Sequence, residues 1–120
     1  MKQLILILLL GVSAARVARA GSWATDYSLT NGTVIVSNGQ ANSSWVPVAV
    51  LMRFSGASTG SVQVLRCSGG GSFRLGSCCF TNVTTVVWTA DADYGFGFGE
   101  TLVIQCSATN GVAQVIRKGD

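Results

Sequence analysis

Ser61-Val-Gln-Val-Leu-Arg-Cys67-Ser-Gly-Gly-Gly-Ser72-Phe-Arg-Leu-Gly-Ser-Cys78-Cys79 sets two β-prone runs on either side of a triple glycine. Glycine accepts the positive φ that tight hairpin loops demand, so the stretch reads as strand, turn and strand. Three glycines are too few for an interdomain linker. The chain therefore builds antiparallel β structure here, and the same grammar recurs on both sides.

Upstream, Asp26–Thr30 and Thr33–Ser37 flank Asn31-Gly32, which predicts a hairpin through a type I′ turn. Val46–Phe54 reads as a mostly apolar strand with Pro47 at its start or on an edge, because proline cannot donate to a ladder. Ser55–Gly60 reads as a turn. Downstream, Thr84–Thr89 follows a turn at Thr81-Asn82, and Glu100–Cys106 and Val112–Lys118 are separated by Asn110-Gly111. About eight short strands with regular turn signals predict an all-β fold, a single antiparallel sandwich of jelly-roll or immunoglobulin-like type. In an immunoglobulin domain Trp88 would sit between bridged cysteines, as it does between Cys79 and Cys106, but Ile104 holds the place of the usual tyrosine.

Composition agrees. Charged residues make up 11% of the 120-residue chain and apolar residues 48%, too little charge for surface helices and enough apolar side chain for one core. The net charge of +3 resides in Lys2, Arg16 and Arg19. From Gly21 onward five bases (Arg53, Arg66, Arg74, Arg117, Lys118) balance five acids (Asp26, Asp91, Asp93, Glu100, Asp120), so nothing suggests nucleic acid as a partner.

Residues 1–20 carry Lys2, an apolar run from Leu4 to Val12, and Ala18 and Ala20 around Arg19, the layout of a secretory signal. The run, extended to Ala15, is about 12 residues, short of the roughly 20 that span a bilayer, so no stable membrane span is expected. The domain is then 21–120, in an extracytoplasmic or secreted setting. Retention of the segment as a short docking helix is the other reading.

An exported chain with four cysteines suggests disulfides. If the hairpin forms, Cys67 lies near Ser72 and Cys78 about six residues, roughly 20 Å, further along. A disulfide needs Cα atoms within about 7 Å, so Cys67 and Cys78 exclude each other as partners. The candidate bond joins Cys106 to Cys67 or to the inward member of the Cys78-Cys79 pair, Cys79 being the candidate, and would stabilise by about 3–4 kcal/mol. Buried free thiols in a reducing compartment are the alternative. Zinc is disfavoured by the lack of any C-x-x-C pair or histidine.

The absence of histidine also removes the usual general base and nucleophile pairs, and no enzyme is expected. Asp91, Asp93 and Glu100 are the acids that could hold calcium or act on glycosides, but Leu102 stands where an EF-hand loop would need glutamate. No cofactor is expected. Tyr94, Phe96 and Phe98 alternate with glycine and share one face of an extended chain, a candidate contact surface for glycans or protein if exposed. Their parity with Trp88, Leu102, Ile104 and Cys106 favours a core face instead. Glu100 has the same parity, so a bend is expected near Gly99-Glu100. Asn31, Asn42 and Asn82 each begin an Asn-x-Ser/Thr acceptor pattern, which turn chemistry explains equally well.

The stretch Asp91-Ala-Asp-Tyr-Gly-Phe-Gly-Phe-Gly-Glu-Thr-Leu-Val-Ile-Gln-Cys106, followed by Asn110-Gly111 and Val112–Arg117, resembles the closing strands of small β-domains in phage structural and virion-surface proteins. The resemblance covers about the last third of the chain. It implies a virion accessory or decoration role with other protein subunits as partners, from which the signal-like N-terminus departs. The expectation is a non-enzymatic structural or interaction module; a secreted carbohydrate-binding module using Tyr94, Phe96 and Phe98 is the alternative.

Overall fold

The computed structural model describes residues 21–119, so the signal-like segment lies outside the described residues. Six strands form one antiparallel sheet: β1 (Ser22–Ser28), β2 (Thr33–Ser37), β3 (Trp45–Ser68), β4 (Gly71–Thr89), β5 (Thr101–Cys106) and β6 (Gly111–Gly119). No helix occurs among the described residues.

The β3–β4 hairpin organises everything else. Its loop is Gly69-Gly70, with φ of 57° and 89°, the two positive values a type I′ turn requires. Ser68 pairs with Gly71 and Cys67 with Ser72, as the sequence predicts, but a register shift beside Leu75 moves the later pairs by one, so Ser61 lies opposite Cys79 and not Cys78. β3 offers its other edge to β6 along Trp45–Phe54 and to β5 along Val62–Cys67. β1 then pairs with β6, and β2 with β5. Two arms of four strand segments result, β1-β6-β3-β4 and β2-β5-β3-β4, joined through the long hairpin and curled into a half-barrel around one core.

Two expectations are corrected. The chain makes six strands instead of about eight, in one curled sheet, because Ser55–Gly60 and Thr81-Asn82 are bends within continuous strands. Register shifts mark the bend, and Asn82 takes φ 53°. Hydroxyls replace lost ladder bonds there: Ser61 N–H donates to the Ser107 hydroxyl at 2.9 Å and Asn82 N–H to the Thr59 hydroxyl at 2.9 Å. Turn-prone residues thus bend the ladder without ending it.

The hairpin expected across Asn31-Gly32 does not form. β1 and β2 pair with different strands in different arms, and Gly32 has positive φ (74°) while Asn31 does not. Leu29 decides the matter: fully buried, it pulls the crossing segment into the core, while its N–H donates to Gly111 O at 2.9 Å and its carbonyl accepts from Gly32 N–H at 2.8 Å. Burying a leucine offers about 1.5–3 kcal/mol, enough to outweigh a local turn preference.

Pro47 lies near the start of β3, ahead of the first β4 pair at Ala49, and a register shift follows it. The missing N–H costs little at that place.

Candidate interaction surfaces

Directly opposed residues of an antiparallel sheet share a face, so the register sorts inner from outer side chains. On the inner face two arginines interrupt otherwise apolar alternations: Arg66 follows Val62 and Val64, and Arg117 follows Ala113 and Val115. They join a continuous stack that runs from the buried rings of Trp45 and Phe96 out to the exposed Trp23. The Arg117 guanidinium lies 5.1 Å from the Trp23 ring and 4.9 Å from the Trp45 ring. Trp45 stacks on Phe96 with centroids 4.7 Å apart and planes within 3°. Arg66 covers Phe96 at 5.4 Å and pairs with Glu100 at 2.7 Å.

The segment 91–100 supplies Phe96 and Glu100 to this stack. Phe96 exchanges two backbone bonds with Trp45, at 2.8 and 3.2 Å. Asn38, only 3% exposed, ties the loop in: its Nδ2 donates to Phe96 O at 2.9 Å and Ser43 O at 3.0 Å, and its Oδ1 accepts from Gln40 N–H at 3.1 Å. A turn follows, with Glu100 N–H donating to Gly97 O at 3.1 Å and Gly99 at φ 85°. Gly97 N–H donates to Glu100 Oε1 at 2.7 Å. That bond first, and Arg66 second, hold the Glu100 carboxyl below its ordinary pKa, against the opposing effect of burial.

This turn, at the place where Glu100's parity demanded a bend, takes Phe98 away from the other two candidate rings. Phe96 is fully buried, Tyr94 is half-buried with its hydroxyl donating to Asp91 Oδ1, and Phe98 is 64% exposed at the turn. They do not form one platform. The carboxylates separate as well: Asp91 serves Tyr94, Asp93 faces Lys118 Nζ at 3.6 Å, and Glu100 serves Arg66 and Gly97. A hollow of about 240 Å³ beside Pro47 gathers Asp91 and Asp93 but not Glu100. Among the described residues no three potential metal ligands converge.

All four cysteines are free. Cys67 lies opposite Thr101 and Ser72, whereas Cys106 lies opposite Val62, five positions along β5 and about 17 Å away. Cys79 lies opposite Ser61, one row from Cys106 and on the other face. Neither expected bond, Cys106 with Cys67 or with Cys79, is made. Cys78 and Cys106 flank Val62 in one row. They stand two strand spacings, about 9.5 Å, apart, also beyond disulfide reach. Burial pushes the Cys106 thiol pKa up, while Cys78 and Cys79 are exposed.

The outer face of the β2-β5 arm presents three rows of four side chains with little charge. Its central row is Ile35, Val103, Leu65 and Arg74. Thr33, Gln105, Gln63 and Ser77 line one side, and Ser37, Thr101, Cys67 and Ser72 the other. Ile35 is 62% exposed, and Arg74 carries the one charge among these twelve residues. The sequence signal for this face was the alternation of Ile35, Val103 and Leu65 with core residues; the arginine stack had a signal too, in Arg66 and Arg117 standing at core parity. Asn31, Asn42 and Asn82 are all exposed.

No family model matches the chain, and no curated protein matches it. Among solved structures, the Drosophila NLP core, whose crystal structure is described as providing insight into pentamer formation and histone binding, is similar with a TM-score of 0.48 and 9% identity, covering 83% of this chain and 98% of that one.

Proposed function

We propose that this protein is a non-enzymatic structural and interaction module, exported or carried on a virion surface, whose two arms act as the layers of a sandwich and whose outer β2-β5 face contacts other protein subunits. The observation that carries the reading is that face: four adjacent strand segments presenting hydroxyls, amides and an apolar row with a single charge, Arg74. Depletion of charge around exposed apolar side chains is what the central part of a protein interface displays. Phe96's place in the core weighs against the carbohydrate-binding alternative, which needed three rings side by side and has Phe98 alone. The internal pairing of Asp91, Asp93 and Glu100 weighs against hydrolysis.

Sedimentation velocity of the full chain under reducing conditions tests it. Concentration-dependent association is expected, weakened at least tenfold by Ile35→Lys, which alters a side chain already exposed and leaves thermal stability unchanged. A monomer at all concentrations, indifferent to Ile35→Lys, overturns the reading.

A further inference from the structure

β4 is 19 residues long and borders β3 alone, so its second edge is unpaired among the described residues. Such an edge is a template for another strand, and proteins that stay solitary protect it with lysine, proline or inward charge. β4 contains no lysine and no proline, and one charge, Arg74. In its middle stand Cys78 and Cys79, both exposed and free. Neither has a partner within its own fold: Cys106 is two strands from Cys78, and Cys67 is six positions along the hairpin. In an exported chain, adjacent exposed thiols without an internal partner meet an oxidising compartment.

The geometry points to a second copy of this chain as the occupant of the edge, paired antiparallel about a two-fold axis through Cys78 and closed by a disulfide between Cys78 and the partner's Cys78. The idea rests on the structural-module reading and gives it a seam. Three features fix the register. Pairing is regular from Gly76 to Phe80, between the shift beside Leu75 and the bend at Thr81–Val83, and Cys78 is the centre of that five-residue stretch. A two-fold axis perpendicular to a continuous sheet opposes residues of like parity, so Cys78 meets the partner's Cys78 and cannot meet the partner's Cys79. Directly opposed residues lie about 4.5–5.5 Å apart, within disulfide range.

Charge agrees with the register. Arg74 and the partner's Arg74 would stand eight positions apart, about 26 Å, beyond the screening length of roughly 8 Å at physiological salt. The dimer would also join two β2-β5 outer faces into one sheet surface of eight strand segments. For the bond itself, a small disulfide such as oxidised glutathione is the oxidant. One Cys78 thiolate attacks it and releases a glutathione thiolate; the partner's Cys78 thiolate then attacks the mixed disulfide at the protein sulfur and releases the second. Two protein thiols become one disulfide, the small disulfide becomes two thiols, and the protons pass to the leaving sulfurs.

The test is oxidation of the full chain with oxidised glutathione, followed by non-reducing electrophoresis, peptide mass spectrometry and hydrogen exchange. A reductant-sensitive dimer is expected, linked through Cys78 on both sides, abolished by Cys78→Ser and retained in Cys67→Ser and Cys79→Ser. Amide exchange across Gly76–Phe80 should slow at least tenfold in the dimer. A dimer that persists in Cys78→Ser, a link through Cys67 or Cys79, unchanged exchange across Gly76–Phe80, or no dimer at all overturns the inference. Because sedimentation of the reduced chain reads the outer face separately, the edge pairing can fail while the module reading stands.

Discussion

Asn38→Ala should be the most costly polar substitution in the domain. Three hydrogen bonds end on this 3% exposed side chain, two donated to Phe96 O and Ser43 O and one accepted from Gln40 N–H. At about 1 kcal/mol net for each, their loss amounts to roughly 3 kcal/mol, reduced somewhat because the 39–44 loop regains freedom. A net loss of about 2–3 kcal/mol corresponds to a fall in Tm of roughly 10–20 °C for a domain of this size. Urea unfolding followed by tryptophan fluorescence is the assay, since Trp45 stacks on the Phe96 that Asn38 anchors. Asn38→Asp is the control: it keeps the shape and the Gln40 bond but turns an acceptor toward two carbonyl oxygens, so it should cost at least as much at neutral pH. A loss below about 0.5 kcal/mol for Asn38→Ala, typical of surface substitutions, would refute the claim that this residue ties the 91–100 segment to the sheet.

Further outcomes follow from the same geometry. Glu100 has a folded pKa below its ordinary 4.5, so its contribution is full above that value and is lost as pH falls through the folded one; the stability gap between wild type and Glu100→Gln should shrink between pH 5 and pH 3, and a constant gap counts against the Arg66 pair, read by urea titration at each pH. Phe96→Ala should cost about 3–5 kcal/mol and Phe98→Ala less than about 0.5, measured by thermal unfolding, because one ring is enclosed and the other is exposed. Gly76→Val should cost at least about 1–3 kcal/mol, since even a Cβ there would lie 2.3 Å from Trp88 Nε1; a neutral result in calorimetry would mean that Trp88 does not rest on that glycine.

What could be read from the sequence was local in origin. The Gly69-Gly70 hairpin needed only neighbouring residues, and so did the bend at Glu100, which followed from one acid standing at core parity. Asn31-Gly32 carried an equally strong local signal and misled, because its flanking strands found non-local partners and Leu29 gained more from burial than the turn offered. Ser55–Gly60 and Asn82 misled in the opposite direction: a bulge and a turn draw on the same residue types, and only strand pairing distinguishes them. The contact surface was sought in rings, whereas Phe96 was needed to sandwich the interior between Trp45 and Arg66. Ring count and spacing do not report which ring the core will claim.

The arginine stack and the plain outer face are linked by the small charge complement of the domain. Of the five bases after Gly21, Arg66 and Arg117 turn inward, where Glu100 and the rings of Trp23, Trp45 and Phe96 receive them. Lys118 faces Asp93, and Asp91 is engaged by Tyr94. Among the described residues, Arg53, Arg74 and Asp26 are the charges left to the outer sheet faces without an ion pair. A soluble monomer of this size ordinarily keeps its surface mixed and charged, with both signs interspersed. Here charge stabilises the interior and one end of the sheet, leaving the β2-β5 face and the β4 edge with Arg74 as their one charge. If the β2-β5 face and the β4 edge make the contacts proposed for them, those contacts rest on apolar and neutral side chains around the lone Arg74 and should persist at salt concentrations that screen ion pairs.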